Sequence, residues 1–158
     1  MNKLKTHYFS HARTALKYGL LSLDLSEDDE ILLPSYICDV ILHPLKNRKL
    51  KFYKITNNFL PDWTDIKDKV SSKTRAIMMV NYFGKINDID NFLDFTKKNN
   101  LFLIEDNAHG YAGEYRGELL GTFGDIGISS PRKFINIKSG GVLYLKNEVY
   151  VNDLDYYN

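Results

Sequence analysis

Apolar positions recur along this chain with two periods, and the alternation between them predicts its elements. Ala12, Ala15, Leu16, Leu20 and Leu23 fall near helical spacing and predict a helix over 12–23, although Gly19 costs about 1 kcal/mol relative to Ala inside it. The short apolar run Ile31-Leu32-Leu33 reads as a strand ending at Pro34, and Tyr36 to Leu45 returns to helical spacing through Ile37, Val40 and Ile41. Leu50 to Ile55 alternates apolar with polar as a strand does, Asp65 to Val70 suits a short helix, and Ala76 to Val80 has the composition of a buried strand. Asp88 to Lys98 predicts a helix with Ile89, Phe92, Leu93 and Phe95 on one stripe. Its acids lie near the start and Lys97-Lys98 near the end, as the helix dipole favours. Leu101 to Ile104, Ile126 to Ile128 and Val142 to Leu145 predict three more strands, the last two flanking Lys133. Tyr111 to Gly124, rich in Gly and aromatics, reads as loops and short strands.

Strands alternating with helices predict an α/β fold with a mostly parallel sheet, whose ligands are expected beyond the carboxyl ends of the strands. No repeat or Gly/Ser linker divides the 158 residues, which suits one compact unit. A hydrophobic content of 44% argues against global disorder, and a net charge of +1 gives no general electrostatic case for nucleic acid or an anionic membrane. Cys38 is the single cysteine, so no internal disulfide can form, and a reducing cytoplasm is the expected location. Met1 to Ser10 has no apolar stretch behind Lys3 and Lys5, and no segment approaches the roughly 18 apolar residues of a spanning helix, so neither secretion nor membrane insertion is expected. His7, His11, His43 and His109 show no metal-ligand spacing, and the Gly-rich stretch near Gly110 to Gly127 lacks the strand-Gly-helix fingerprint of dinucleotide binding.

Two residues stand out as candidates for chemistry. Asp106, in Ile104-Glu105-Asp106-Asn107-Ala108-His109, carries a carboxylate out of an apolar strand into a small polar turn; helix capping or turn formation accounts for it equally well. Lys133 follows Ser129-Ser130-Pro131-Arg132 and shortly precedes Gly140-Gly141. A lysine is ordinarily a solvated surface group, but hydroxyls before it and a Gly pair after it would let a phosphate and a backbone approach closely.

With these pieces in order, the sequence resembles the pyridoxal-phosphate-dependent sugar aminotransferases of the DegT/DnrJ/EryC1/StrS group, of fold type I. The resemblance runs from about Ser10 to Lys146. It rests on Ala12-Arg13-Thr14-Ala15-Leu16, Leu33-Pro34-Ser35-Tyr36, Thr74-Arg75-Ala76-Ile77, Glu105 to His109, Gly121-Thr122-Phe123-Gly124-Asp125, and Ser130 through Lys133 to Gly140-Gly141. It implies that residues 1–158 are a truncated three-layer α/β/α large domain, with the rest of that domain and the small C-terminal domain missing. Lys133 matches the lysine that tethers pyridoxal 5'-phosphate and later moves a proton. Asp106 matches the carboxylate that keeps the pyridine nitrogen protonated. Ala12 and Arg13 match the helix start that receives the phosphate, Ser130 the nearby serine, and His109 a cofactor contact; a hydrogen-bonded turn histidine is the alternative for His109. Where many members place a stacking aromatic after the Pro-Ser pair this chain has Cys38, with Tyr36 nearby, and Asn81 stands where a His is common. The spacing from Asp106 to Lys133 is slightly shorter than usual in the family, with the shortening between Ser130 and Lys133.

The resemblance therefore implies amination of a keto group on a nucleotide-linked sugar, in surface polysaccharide or amino-sugar biosynthesis, with glutamate as donor and a homodimer as the assembly. A sugar dehydratase of the same family is the alternative, although those members carry histidine where this chain has Lys133. A non-catalytic interaction module that kept the sheet and lost the pocket is the third reading.

Overall fold

The computed structural model describes residues 4–146, so the tail 153–158, which offers no obvious replacement domain by sequence, lies outside the described residues. The strands are β1 (Lys5–Phe9), β2 (Glu30–Pro34), β3 (Lys49–Tyr53), β4 (Thr74–Val80), β5 (Phe102–Asn107), β6 (Glu114–Tyr115), β7 (Glu118–Leu119), β8 (Ile126–Ser129) and β9 (Gly141–Leu145); the helices are α1 (Ala12–Leu21), α2 (Asp39–Leu42), α3 (Trp63–Lys69) and α4 (Ile89–Asn99). Seven strands form one sheet in the order β1-β9-β8-β5-β4-β2-β3, and β6-β7 make a small separate hairpin. The pairs β8-β5, β5-β4, β4-β2 and β2-β3 are parallel, while β9 runs antiparallel to both β8 and β1. This is the mostly parallel sheet the alternation predicts.

Helices cover both faces, which is why the central strands are apolar on both sides. On one face, Ala15, Leu16 and Leu20 of α1 and Ile41 of α2 pack with Ile31, Leu33, Met78, Val80, Ile104, Ile128 and Leu143. On the other, Ile66 of α3 and Ile89 and Phe92 of α4 pack with Leu32, Ile77, Met79 and Leu103. The period-2 alternation of strand side chains sends Leu103 to one core and Ile104 to the other. Gly19, a weak helix residue by propensity, lies against the sheet: a Cβ there would meet Leu143 Cδ1 at 2.8 Å, so the missing side chain permits close helix-sheet packing.

Several boundaries differ from those the pattern predicts. Lys5–Phe9, with no run of apolar residues, is an edge strand paired with β9. The predicted helix from Tyr36 starts only at Asp39, because the chain bends at 35–36 and Cys38 is extended, and it gives way to a 3-10 turn at His43–Leu45 around Pro44. Strand β5 continues through Glu105, Asp106 and Asn107, all buried, where polarity suggests a turn.

The junction of β1, α1 and β9 is tightly built. His11 pairs with Gly140, whose N–H donates to Ser10 O at 2.7 Å. A Cβ on Gly141 would run into the His11 carbonyl and stand 2.5 Å from Ala12 N. Both obstacles are backbone and cannot swing aside, so Gly141→Ala is expected to lower unfolding stability by about 3 kcal/mol, the upper part of the overpacking range. An unchanged urea midpoint would contradict this close approach.

Candidate active site

The carboxyl ends of β2, β4, β5 and β8 and the start of α1 surround one cavity of about 340 Å³. Ala12 and Arg13 come from α1; Tyr36, Ile37 and Cys38 from the chain leaving β2; Val80, Tyr82 and Phe83 from the end of β4 and its following turn. Asp106, Ala108 and His109 come from the end of β5, and Ser130, Arg132 and Lys133 from the turn after β8. The six residues singled out from the sequence, Lys133, Asp106, His109, Ser130, Ala12 and Arg13, thus meet around one space.

Two adjacent acids at the end of β5 have opposite fates. Glu105 is wholly buried and accepts from Asn81 Nδ2 at 2.9 Å and from the backbone N–H groups of Gly121, Phe123 and Gly124 at 2.8, 2.8 and 3.3 Å. Burial pushes its carboxyl up, and those four donors pull it back. The loop after β7 is pinned to β5 in this way. Asn107 joins the same network, taking a bond from Asn81 at 3.3 Å and donating to Gly110 O and Leu120 O at 3.0 Å each. Asn81, with its Oδ1 also accepting from Asn87 N, is therefore committed to structure.

The carboxylate of Asp106, a residue 5% exposed, receives only the N–H of Ala108 at 2.9 Å among the described residues. Burial raises its pKa, and the Ala108 N–H, Lys133 and His109 lower it. Lys133 acts on Asp106 through space, yet no ion pair joins them. The His109 ring, also on the cavity wall, lies stacked on Phe83 with centroids 5.7 Å apart and an interplanar angle of 18°. Its Nδ1 is buried without a hydrogen-bond partner, and its pKa is lowered by burial and Lys133 and raised by Asp106. Tyr82 donates to Tyr36 O at 2.5 Å, and burial followed by the Asp106 charge lifts its phenol above the ordinary range.

These observations fit a ligand that brings an acceptor or donor for His109, a cationic partner for Asp106, and negative charge for the start of α1. That start has no side-chain cap from His11 and no acid in its first turn. Pyridoxal phosphate has this donor set: an aldehyde for Lys133, a ring nitrogen for Asp106 and a phosphate. Cys38 is exposed and lines the cavity, so no aromatic occupies the position where a stacking ring is common. Sequence reasoning missed Phe83, His11 and Arg132. Phe83 was legible only as part of Asn81-Tyr82-Phe83-Gly84, and its positive φ of 54° has no pattern in sequence.

A raised carboxyl pKa has a definite sign in stability. The folded chain prefers the protonated Asp106, so this group's stabilising contribution is present below its unfolded pKa and is lost as pH rises through the folded value. Asn keeps the acceptor for Ala108 N–H and never charges. Asp106→Asn is therefore expected to raise the cofactor-free denaturation midpoint by a margin that widens between pH 4 and pH 7; a margin independent of pH would contradict the desolvated carboxylate.

Comparison with known proteins bears on the fold and the family. Among curated relatives, GDP-perosamine synthase of Escherichia coli O157:H7 is 34% identical over 146 residues, covering 85% of this chain and 38% of the relative. Among solved structures, an aminotransferase from Psychrobacter cryohalolentis superposes with a TM-score of 0.80 at 23% identity over 90% of this chain and 38% of that one. E coli GDP-4-keto-6-deoxy-D-mannose-3-dehydratase with bound hydrated PLP superposes with a TM-score of 0.74 at 22% identity, over 90% of this chain and 40% of that one. The chain thus spans about 38% of the length of its curated relative, and the structural neighbours share the fold type I architecture. The family's cofactor is pyridoxal 5'-phosphate. The family model for these aminotransferases matches residues 8–155, and the chain belongs to the DegT/DnrJ/EryC1/StrS aminotransferase family.

Proposed function

We propose that this chain is the cofactor-binding part of the large domain of an aminotransferase that converts a keto group on a nucleotide-linked sugar to an amine, with glutamate as the amino donor. The observation that carries the reading is the placement of Lys133 and Asp106 on the wall of one cavity with no ion pair between them. An amine and a buried acid that do not neutralise each other are available for a molecule between them.

When bound, pyridoxal phosphate would supply the electron sink that stabilises negative charge on a substrate carbon. The chain's residues would do the rest. Lys133 Nζ would hold the cofactor covalently and, once displaced by the amino donor, carry a proton at the reacting carbon. Asp106 would keep the ring nitrogen protonated, its single internal hydrogen bond leaving capacity for that role. His109 Nδ1 would gain the partner it lacks, Ser130 and the start of α1 at Ala12 and Arg13 would receive the phosphate, and the buried side chains of Val80, Tyr82 and Ala108 would limit water. A lysine at 133, where the family's dehydratases carry histidine, favours amination over dehydration. The same reading carries a homodimer, a cytoplasmic location and a place in surface polysaccharide or amino-sugar biosynthesis. Among the described residues no helix is long and apolar enough to cross a membrane.

The test is covalent trapping. The chain mixed with pyridoxal phosphate is expected to turn yellow, and borohydride reduction followed by peptide mass mapping is expected to place the added mass on Lys133. Lys133→Ala is expected to stay colourless while its denaturation midpoint holds. Reduction products scattered over surface lysines, or none, would overturn the proposal.

A further inference from the structure

We propose that Arg132 and Arg13 form a two-guanidinium clamp for a phosphate group at the α1 end of the cavity, with Arg132 supplying a binding residue beyond the lysine, acid, serine and helix start already described. The inference rests on the reading of the cavity as a pyridoxal phosphate site.

The placement of Arg132 is set by its backbone. It lies in the 3-10 turn Pro131–Lys133, where Pro131 is buried and Lys133 N, Phe134 N and Ile135 N donate to Ser130 O, Pro131 O and Pro131 O at 3.1, 2.8 and 3.0 Å. That turn packs against the start of β9: a Cβ on Gly140 would stand 3.7 Å from Arg132 N, and Gly140 is itself paired with His11 at the head of α1. Arg132 is therefore brought by the turn, and Arg13 by the first turn of the helix, to the same end of the same cavity. His11 lies between their influences, its pKa lowered by burial and then by Arg13 and Arg132.

Neither guanidinium is answered within the chain. Arg116 makes a two-armed contact with Asp90 at 3.1 and 2.7 Å, and Arg48 donates to Leu25 O and Ser26 O. Among the described residues Arg13 and Arg132 have no ion pair and no side-chain hydrogen bond, and Asp106 is the single acid on the cavity wall against Arg13, Arg132 and Lys133. Arg13 is half-buried and Arg132 is exposed at the rim of the cavity, and like charges gathered there repel, which an anion between them relieves. A guanidinium fork matches phosphate oxygens two at a time, where a lysine offers a point charge. A phosphate ester is thus the chemistry this wall recognises. It could be the cofactor's monoester or the diphosphate of a nucleotide-linked sugar.

Titration of the full chain and its Arg132→Gln variant with pyridoxal phosphate, with pyridoxal, and with GDP added to cofactor-loaded protein separates these sources. If the clamp holds the cofactor phosphate, the substitution weakens pyridoxal phosphate about tenfold or more and leaves pyridoxal unchanged. If it holds the diphosphate, GDP weakens by that factor while pyridoxal phosphate does not. Arg132→Lys is expected to recover part of either loss, and Arg13→Gln to weaken the same ligand. Unchanged affinity for both phosphate ligands, or an equal loss for pyridoxal and pyridoxal phosphate, would overturn the clamp while leaving the Lys133 tether standing. Failure of the parent chain to join either aldehyde through Lys133 would overturn the reading of the cavity and the clamp with it.

Discussion

A carboxylate withdrawn from water must be met by donors or cations, and the end of β5 holds two of them side by side. Because successive strand residues face opposite ways, Glu105 and Asp106 are directed to different sides of the sheet. On one side the chain answers Glu105 completely, with Asn81 and three backbone N–H groups. On the other it gives Asp106 one N–H and a cavity. The first arrangement fixes a loop; the second leaves a demand that a cationic or proton-bearing ligand can meet. Much of the site follows from that asymmetry.

The topology explains how distant segments supply the rest. Parallel β2, β4, β5 and β8 all end at the same edge, and β1, antiparallel to β9, delivers the head of α1 to that edge as well. The turn after β8 packs against the start of β9, which brings Ser130, Arg132 and Lys133 to the cavity that Asp106 lines. Gly140 and Gly141 let that turn and α1 lie against the strand with no side chain in between. The packing of the β1, α1 and β9 junction is in this sense a condition for the cavity's shape.

Most of this was legible in the sequence. The two periods gave the alternation of strands and helices, and the six proposed site residues do share a cavity. Four things were not legible, for physical reasons. Edge strand Lys5–Phe9 has no apolar face to signal it, since it is held by pairing to β9 more than by burial. The polar end of β5 reads as a turn because solvation of Glu105 and Asn107 comes from residues far away in sequence. The position of Arg132 depends on a turn packing against the start of β9, which no spacing in the chain reveals. Phe83 similarly meets His109 only because its backbone takes a left-handed conformation beside Gly84.

The central claim is that Asp106 is left unanswered so that it can hold a proton on a bound ring. Nitrogen-15 NMR of pyridoxal phosphate labelled at the ring nitrogen and bound to this chain measures that directly. The account predicts a protonated nitrogen at pH 7 in the parent chain and an unprotonated one in Asp106→Ala. An unprotonated nitrogen in the parent, or a protonated one that survives loss of the carboxylate, would contradict it.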